Sequence, residues 1–280
     1  MYESPHPVTL VEQQSFDSGV PNIARIYDAL LGGKDNYAVD REAAIALTAA
    51  IPGAARAARD NRAFLARAVR YLAGRAGITQ FLDIGTGLPT RGHVHEIACT
   101  ASPSARVAYI DNDPVVVAHA NAVLAGTPAV IIAEADVRFP LDLMTRPAVR
   151  AHLDFEQPVA VLLVAVLHFV ADSDGPRSIV RCITDHLAPG SYLVISHGTG
   201  DQTPPEAIRQ ARDIYDIAYV RGAARTRHDI EGLFDGLDLI PPGVVDAARW
   251  RSRRGASRPV LLYAGIGRKP GRPTAPRPVP

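Results

Sequence analysis

Two cysteines in 280 residues are too few for a disulfide framework. Cys99 and Cys182 stand far apart, with no CxxC pair and no ligand cluster around either, so they read as reduced thiols in a reducing compartment. An excess of one charge is missing as well: 30 Lys and Arg against 29 Asp and Glu leave a formal net charge of +1. No global field therefore drives the chain toward nucleic acid or a membrane surface. The longest apolar run, 159–167, is far short of a bilayer crossing. Residues 1–14 contain acids and prolines but no basic segment followed by an apolar one, so no secretory signal is expected. Together these absences predict a cytoplasmic protein. What is present is an ordinary globular composition, 47% hydrophobic and 21% charged, with length for a full core.

Residues 1–20 show little periodicity and are expected to be a flexible N-terminus. A helix is predicted from Ile23, with Ile26, Tyr27, Leu30 and Leu31 on one face and Gly32-Gly33 as its stop. Asp40 is expected to cap a second helix running to Ala50. A third, from about 54 to 76, carries Phe64, Leu65, Ala68, Val69 and Leu72 as its apolar stripe. The segment 21–76 thus reads as a helical cap. From Gly77 short apolar runs (80–84, 106–110, 129–133, 159–166, 192–196) alternate with helical patterns (91–101, 114–125, 176–187, 205–221). That alternation implies βαβ units, hence a mostly parallel sheet between helical layers. The runs 237–240, 244–249 and 260–266 lack a convincing helix between the last two and suit an antiparallel closing pair. The core is expected over 77–268, and 269–280, basic and rich in proline, is expected to be a disordered tail.

The informative motif is the first strand-to-helix turn, Phe81-Leu82-Asp83-Ile84-Gly85-Thr86-Gly87. Glycines at 85 and 87 permit positive φ and close approach of backbone to a ligand, and the helix that follows offers free N–H groups. A lone GxG is weak evidence, but two features narrow it. Thr90 stands where a dinucleotide fingerprint has its third glycine, and Asp83 precedes the loop. A carboxylate there suits a ligand carrying an ammonium and a sulfonium better than a pyrophosphate. The second strand ends at Asp111-Asn112-Asp113-Pro114, where Asp111 can accept from both ribose hydroxyls while Asp113 caps the next helix. At the end of the third strand, Asp136 can accept from an adenine amine and the Val137 N–H can donate to the ring. One such acid is a loop acid; three in series at successive strand ends outline a site.

The strand-end acids and D-x-G-x-G turn resemble the class I fold of S-adenosylmethionine (SAM)-dependent methyltransferases. The strings PNIARIYDALLGGKDNY (21–37), NRAFLARAVRYL (61–72), QFLDIGTGLPT (80–90), YIDNDPVV (109–116), VAVLHFV (164–170) and GSYLVISH (190–197) are similar to one family within it. That is the S-adenosyl methyltransferase family once catalogued as a domain of unknown function, and the similarity spans roughly residues 20–268. The resemblance implies SAM as cofactor and a Rossmann-like three-layer α/β sandwich: a seven-stranded, mostly parallel sheet with an antiparallel last strand and an N-terminal helical cap. It implies nothing specific about the acceptor. Pro89 stands where the general pattern often has a third glycine.

Methyl transfer needs positioning above all, and a base only if the nucleophile must lose a proton. His168 and His197, at the ends of the fourth and fifth strands, are the candidate bases facing the cleft, and Leu167 lies at the level of the transferable methyl. Each histidine could instead only shape the pocket. Tyr27, Lys34 and Asn36 are expected on the substrate side, with Gly32-Gly33 as a hinge that lets the polar loop fold over a ligand. Asn61 and Arg62 interrupt an otherwise apolar helical segment, which suits either an inward role or a solvated helix face, and Lys34 or Arg62 could pair with a carboxylate of the cofactor's methionyl part or of the acceptor. His93 and His95 are not expected to bind metal, because i and i+2 on a helix point apart. Tyr215 and Tyr219 read as a packed stripe. Nine Lys/Arg and no acid from 249 onward form a basic stretch without interleaved aromatics, a poor nucleic-acid footprint. The leading expectation is a methyltransferase acting on a small molecule. Methylation of nucleic acid or protein, a non-catalytic SAM-binding sensor or partner, and an NAD-dependent oxidoreductase are the competing readings.

Overall fold

The computed structural model describes residues 18–89, 92–124, 126–218, 221–252 and 259–271. Thr90, Tyr219, residues 1–17 and the tail from 272 lie outside them, and with them the expectations placed there.

Helix α1 (Ile23–Leu31) begins where Asn22 Oδ1 accepts the Arg25 N–H at 3.2 Å and ends at Gly32, whose φ of +76° is a left-handed stop. Helix α2 (Ala38–Ala50) starts two residues before the expected cap. Asp40 sits in its first turn and reaches back to the Tyr37 N–H at 2.8 Å. Asp40 is buried, and it also accepts from Arg25 Nε at 2.8 Å and the Asn22 N–H at 2.9 Å, so it ties α1 to α2.

The expected cap is used in two ways. Helix α3 (Ala54–Gly74) lays its predicted stripe on the sheet: Phe64, Leu65, Ala68, Val69 and Leu72 are buried with Phe81, Val107, Leu162, Val194 and Trp250. Phe64 meets the Trp250 ring edge-on at 5.5 Å, and truncating such a side chain to alanine costs about 3–5 kcal/mol. Helices α1 and α2 instead form a small separate core with α9 (Pro205–Ile217) through Ile26, Ala44, Leu47 and Ala211.

Strands β1 (Gln80–Ile84), β2 (Arg106–Asp111), β3 (Val130–Glu134), β4 (Ala160–Val164) and β5 (Tyr192–Gly198) are mutually parallel where they pair. They are linked by α4 (Val94–Ala101), α5 (Pro114–Leu124), two short helices α6 (Pro140–Thr145) and α7 (Pro147–His152), and α8 (Pro176–Asp185). After α9 come the short α10 (Arg227–Glu231), β6 (Asp238–Leu239), β7 (Val245–Asp246) and β8 (Leu262–Arg268). The sheet order is β3-β2-β1-β4-β5-β8-β6, with β7 also on β8 and β8 antiparallel to β5. The expected seven-strand arrangement with a reversed last strand is therefore present, with a two-residue strand added at its edge. Of the stretch 244–249, expected as a strand, only Val245–Asp246 pairs and 247–249 is turn, because Asp246 folds back to accept the Ala248 N–H at 2.9 Å.

The end of β8 corrects the expected tail. Lys269 Nζ donates to the carbonyls of Thr184 (2.8 Å) and Leu187 (2.7 Å), and its backbone N–H to Ser191 O at 2.8 Å. A cation on the last carbonyls of α8 is a favourable C-terminal cap. Among the described residues no helix is long and apolar enough to cross a membrane.

Candidate functional site

Between β1 and β4 the strand order reverses direction, and open α/β sheets take their ligands outside the carboxyl ends of the strands at such a point. The β1 loop is pinned across the end of β2, with the Gly85 and Thr86 N–H groups both donating to Ile110 O, at 2.7 and 3.1 Å. Gly85 has φ +70°, and a Cβ on it would lie 2.3 Å from Val166 Cγ2, so glycine is required. Gly87 also has positive φ, with open space where its Cβ would be, and its N–H donates to Asp111 Oδ2 at 2.9 Å. Thr86 Oγ1 donates to Asp83 Oδ2 at 3.3 Å.

Both strand-end carboxyls are buried, and burial dominates their acidity. Asp83 is pushed up to about 7 against the opposing pull of Arg62 and the Thr86 hydroxyl. Asp111 is pushed up to about 6 despite N–H donors at Gly87 and Asp113. Carboxyls held this way lack sufficient counter-charge, and a cationic ligand at the β1 loop would supply it. Asp113 plays the predicted cap, accepting the Val115 N–H at 2.8 Å, and also accepts from Asn22 Nδ2 at 2.5 Å, which ties the start of α1 to the β2 end. Asn112 Nδ2 reaches Asp136 Oδ2 at 3.4 Å, and Arg138 holds the same carboxylate through Nε and Nη2 at 2.9 and 2.5 Å. Asp136 is thus paired with Arg138, which has to yield before the acid can accept from an adenine; the Val137 N–H makes no hydrogen bond among the described residues.

Arg62, half-buried on α3, donates to Gly92 O at 3.3 Å and lies close enough to Asp83 to act on it electrostatically. His93 precedes α4 rather than lying in it, so its ring stacks on His95 at 5.3 Å instead of pointing away as expected. Even so, no group of three metal-capable side chains occurs among the described residues.

The two histidines divide. His197 is fully buried and does not face the cleft: its Nδ1–H donates to Gly198 O at 2.6 Å and its Nε2 accepts from Arg225 at 2.8 Å. Burial holds its pKa down at about 4, so neither nitrogen is left to take a proton. Leu167 is also sealed in the core, with its carbonyl taken by Arg225 Nη1 at 2.8 Å. Arg225, which no local pattern in the sequence singles out, is buried and also donates to Val170 O at 2.9 Å and Asp172 Oδ1 at 2.6 Å. It thereby fixes the segment that presents His168. His168 is half-buried, 5.6 Å from the His197 ring and 4.2 Å from Phe169, which meets Tyr215 edge-on at 5.2 Å.

In the N-terminal helices, Tyr27 donates to Ala58 O at 3.1 Å and accepts from Asn61 Nδ2 at 2.9 Å. Asn61 Oδ1 accepts from Ser196 Oγ at 2.6 Å, and that hydroxyl accepts the Ala165 N–H at 2.9 Å. Ala165 sits at φ +60°, a left-handed conformation costly for a residue with a side chain, directly after β4. Asn36 takes no part in this network. With the Asp35 N–H it bonds Asp28, at 2.8 and 2.9 Å, and a Cβ on Gly33 would strike the same carboxylate. The two glycines therefore serve a tied turn rather than a free hinge, and Lys34 is exposed upon it.

This strand order, with a pinned glycine loop and acids at successive strand ends, defines a class I SAM-dependent methyltransferase. The chain belongs to the S-adenosyl methyltransferase family, whose model matches residues 10–270. It is similar to the crystal structure of a candidate methyltransferase from Thermobifida fusca YX, at 42% identity and TM-score 0.85 over 90% of this chain and 96% of that one. It is likewise similar to a DUF574 family protein from Streptomyces avermitilis MA-4680, at 38% identity and TM-score 0.85 over 91% of this chain and 99% of that one. No curated protein matches it.

Proposed function

We propose that this enzyme transfers the methyl group of SAM to a small-molecule acceptor held between the ends of β4 and β5 and helices α1, α3 and α9. When bound, SAM supplies an electrophilic methyl on a sulfonium. Asp83 and the 85–87 loop hold its methionyl end, with Arg62 toward the carboxylate. Asp111 and Asn112 take the ribose, and Asp136 with the Val137 N–H takes the adenine. The observation that carries this assignment is the pair of buried, under-compensated carboxyls beside a glycine loop that admits no side chain at 85.

The acceptor side favours a small molecule because its polar groups lie inside the fold. Asn61 and Ser196 are buried, Tyr27 bonds inward, and His168 and Tyr215 are only partly exposed. Methyl-labelled SAM incubated with the protein and a cell extract, split into low-mass and macromolecular fractions, tests this. Label is expected in the low-mass fraction; label confined to protein or nucleic acid would overturn it.

A further inference from the structure

His168 Nδ1 accepts the Gly198 N–H at 3.3 Å, so in the neutral ring the proton sits on Nε2. Nε2 has no partner among the described residues, and the residue, packed beside Phe169, is not fully buried. Burial, the His197 ring and the Arg225 guanidinium all disfavour the imidazolium, so the neutral ring persists at pH 7. Among the described residues, the groups facing it are the backbone N–H of Gly198 and the His197 ring from β5, Arg225 with its partner Asp172, and, across Phe169, Tyr215 of α9. Among these, nothing anionic stands near enough to draw a proton onto Nδ1. His168 therefore offers a proton where the sequence suggests a base. Phe169 and Tyr215 set an edge-to-face aromatic wall beside that N–H.

Resting on the reading above, we infer that the site takes a planar aromatic acceptor whose nucleophilic oxygen arrives ionised, a phenolate, with Nε2–H of His168 as its hydrogen-bond donor. The phenolate oxygen forms the new carbon–oxygen bond as the methyl–sulfur bond breaks and its electron pair returns to sulfur. No proton has to leave in that step, so no base is needed. A charge-assisted hydrogen bond favours the ionised acceptor over its neutral form.

The test uses 4-nitrophenol, whose neutral and ionised forms absorb differently, with wild-type protein saturated with S-adenosylhomocysteine. The bound phenol is expected to ionise with a constant raised about tenfold over its free value. His168→Ala should abolish that shift, and His168→Gln, whose amide can donate, should keep most of it. Nitrogen NMR of the wild-type imidazole, independent of any variant's folding, should show the His168 proton on Nε2. A proton on Nδ1, a bound phenol that stays neutral, or no phenol binding would each overturn the inference. Calorimetry separates the two claims: failure to bind S-adenosylhomocysteine defeats the cofactor reading, whereas binding it without the phenolate shift defeats only this one.

Discussion

Asn61 on α3 and Ser196 on β5 are 135 positions apart in the chain, yet their side chains meet at 2.6 Å in the interior. Asn61 also donates to Tyr27 of α1, and Ser196 accepts from the strained Ala165 after β4. One buried amide thus ties the N-terminal helices to the ends of β4 and β5, where the acceptor is proposed to sit. A leucine of similar size at 61 would leave the Ser196 hydroxyl without its acceptor and the Tyr27 oxygen without its donor.

Asn61→Leu is therefore expected to lower folding stability by about 1–3 kcal/mol and turnover by more than SAM affinity. Denaturant unfolding and calorimetry on the same preparation check both. An unchanged unfolding midpoint together with unchanged turnover would show the bond to be incidental.

Cofactor affinity should rise with pH. Asp83 and Asp111 have native pKa values raised to about 7 and about 6, so the unliganded protein holds these protons more tightly than the unfolded chain. Stability attached to those protons is present at low pH and is lost as pH climbs through about 6 and about 7. A cationic ligand favours the ionised acids and releases protons on binding. SAM should consequently raise the melting temperature more at about pH 8 than at about pH 5.5. Calorimetry in buffers of different ionisation enthalpy should detect the released proton near pH 6. Proton uptake on binding would contradict the assignment.

Removing Lys269 should matter, and removing the residues beyond 271 should not. Truncation after Arg268 strips the cation from the carbonyls of Thr184 and Leu187 and is expected to lower the melting temperature by about 2–6 °C. Truncation after Gly271 should leave it unchanged. Equal melting temperatures for the two truncations would show the lysine's contacts to be without consequence.

How much was legible follows from how local each signal is. The β1 loop, the acids at 83, 111 and 136 and the stripe on α3 are written in adjacent residues, and the sheet they imply is present. Arg225 was not legible, because its partners at 167, 170, 172 and 197 gather only in the folded chain. His197 reads like His168 for the same reason: both stand at the ends of apolar runs, and only tertiary packing seals the one and leaves the other partly buried. The Gly32-Gly33 pair suggested a hinge because glycine frees the backbone. The Asp28 carboxylate that demands a glycine at 33 is five residues away and invisible to that argument.

The most direct measurement is calorimetric titration of wild-type protein and Asp111→Ala with SAM, with NAD as a control. Asp111 lies at the end of β2 with its carboxylate on the Gly87 and Asp113 N–H groups, where it can accept from two ribose hydroxyls. Wild type should bind SAM and not NAD. Asp111→Ala, still folded by circular dichroism, should bind SAM about ten- to a hundredfold more weakly, the loss of roughly 1.5–3 kcal/mol. Unchanged SAM affinity in a folded Asp111→Ala, or tight NAD binding by wild type, would contradict the account.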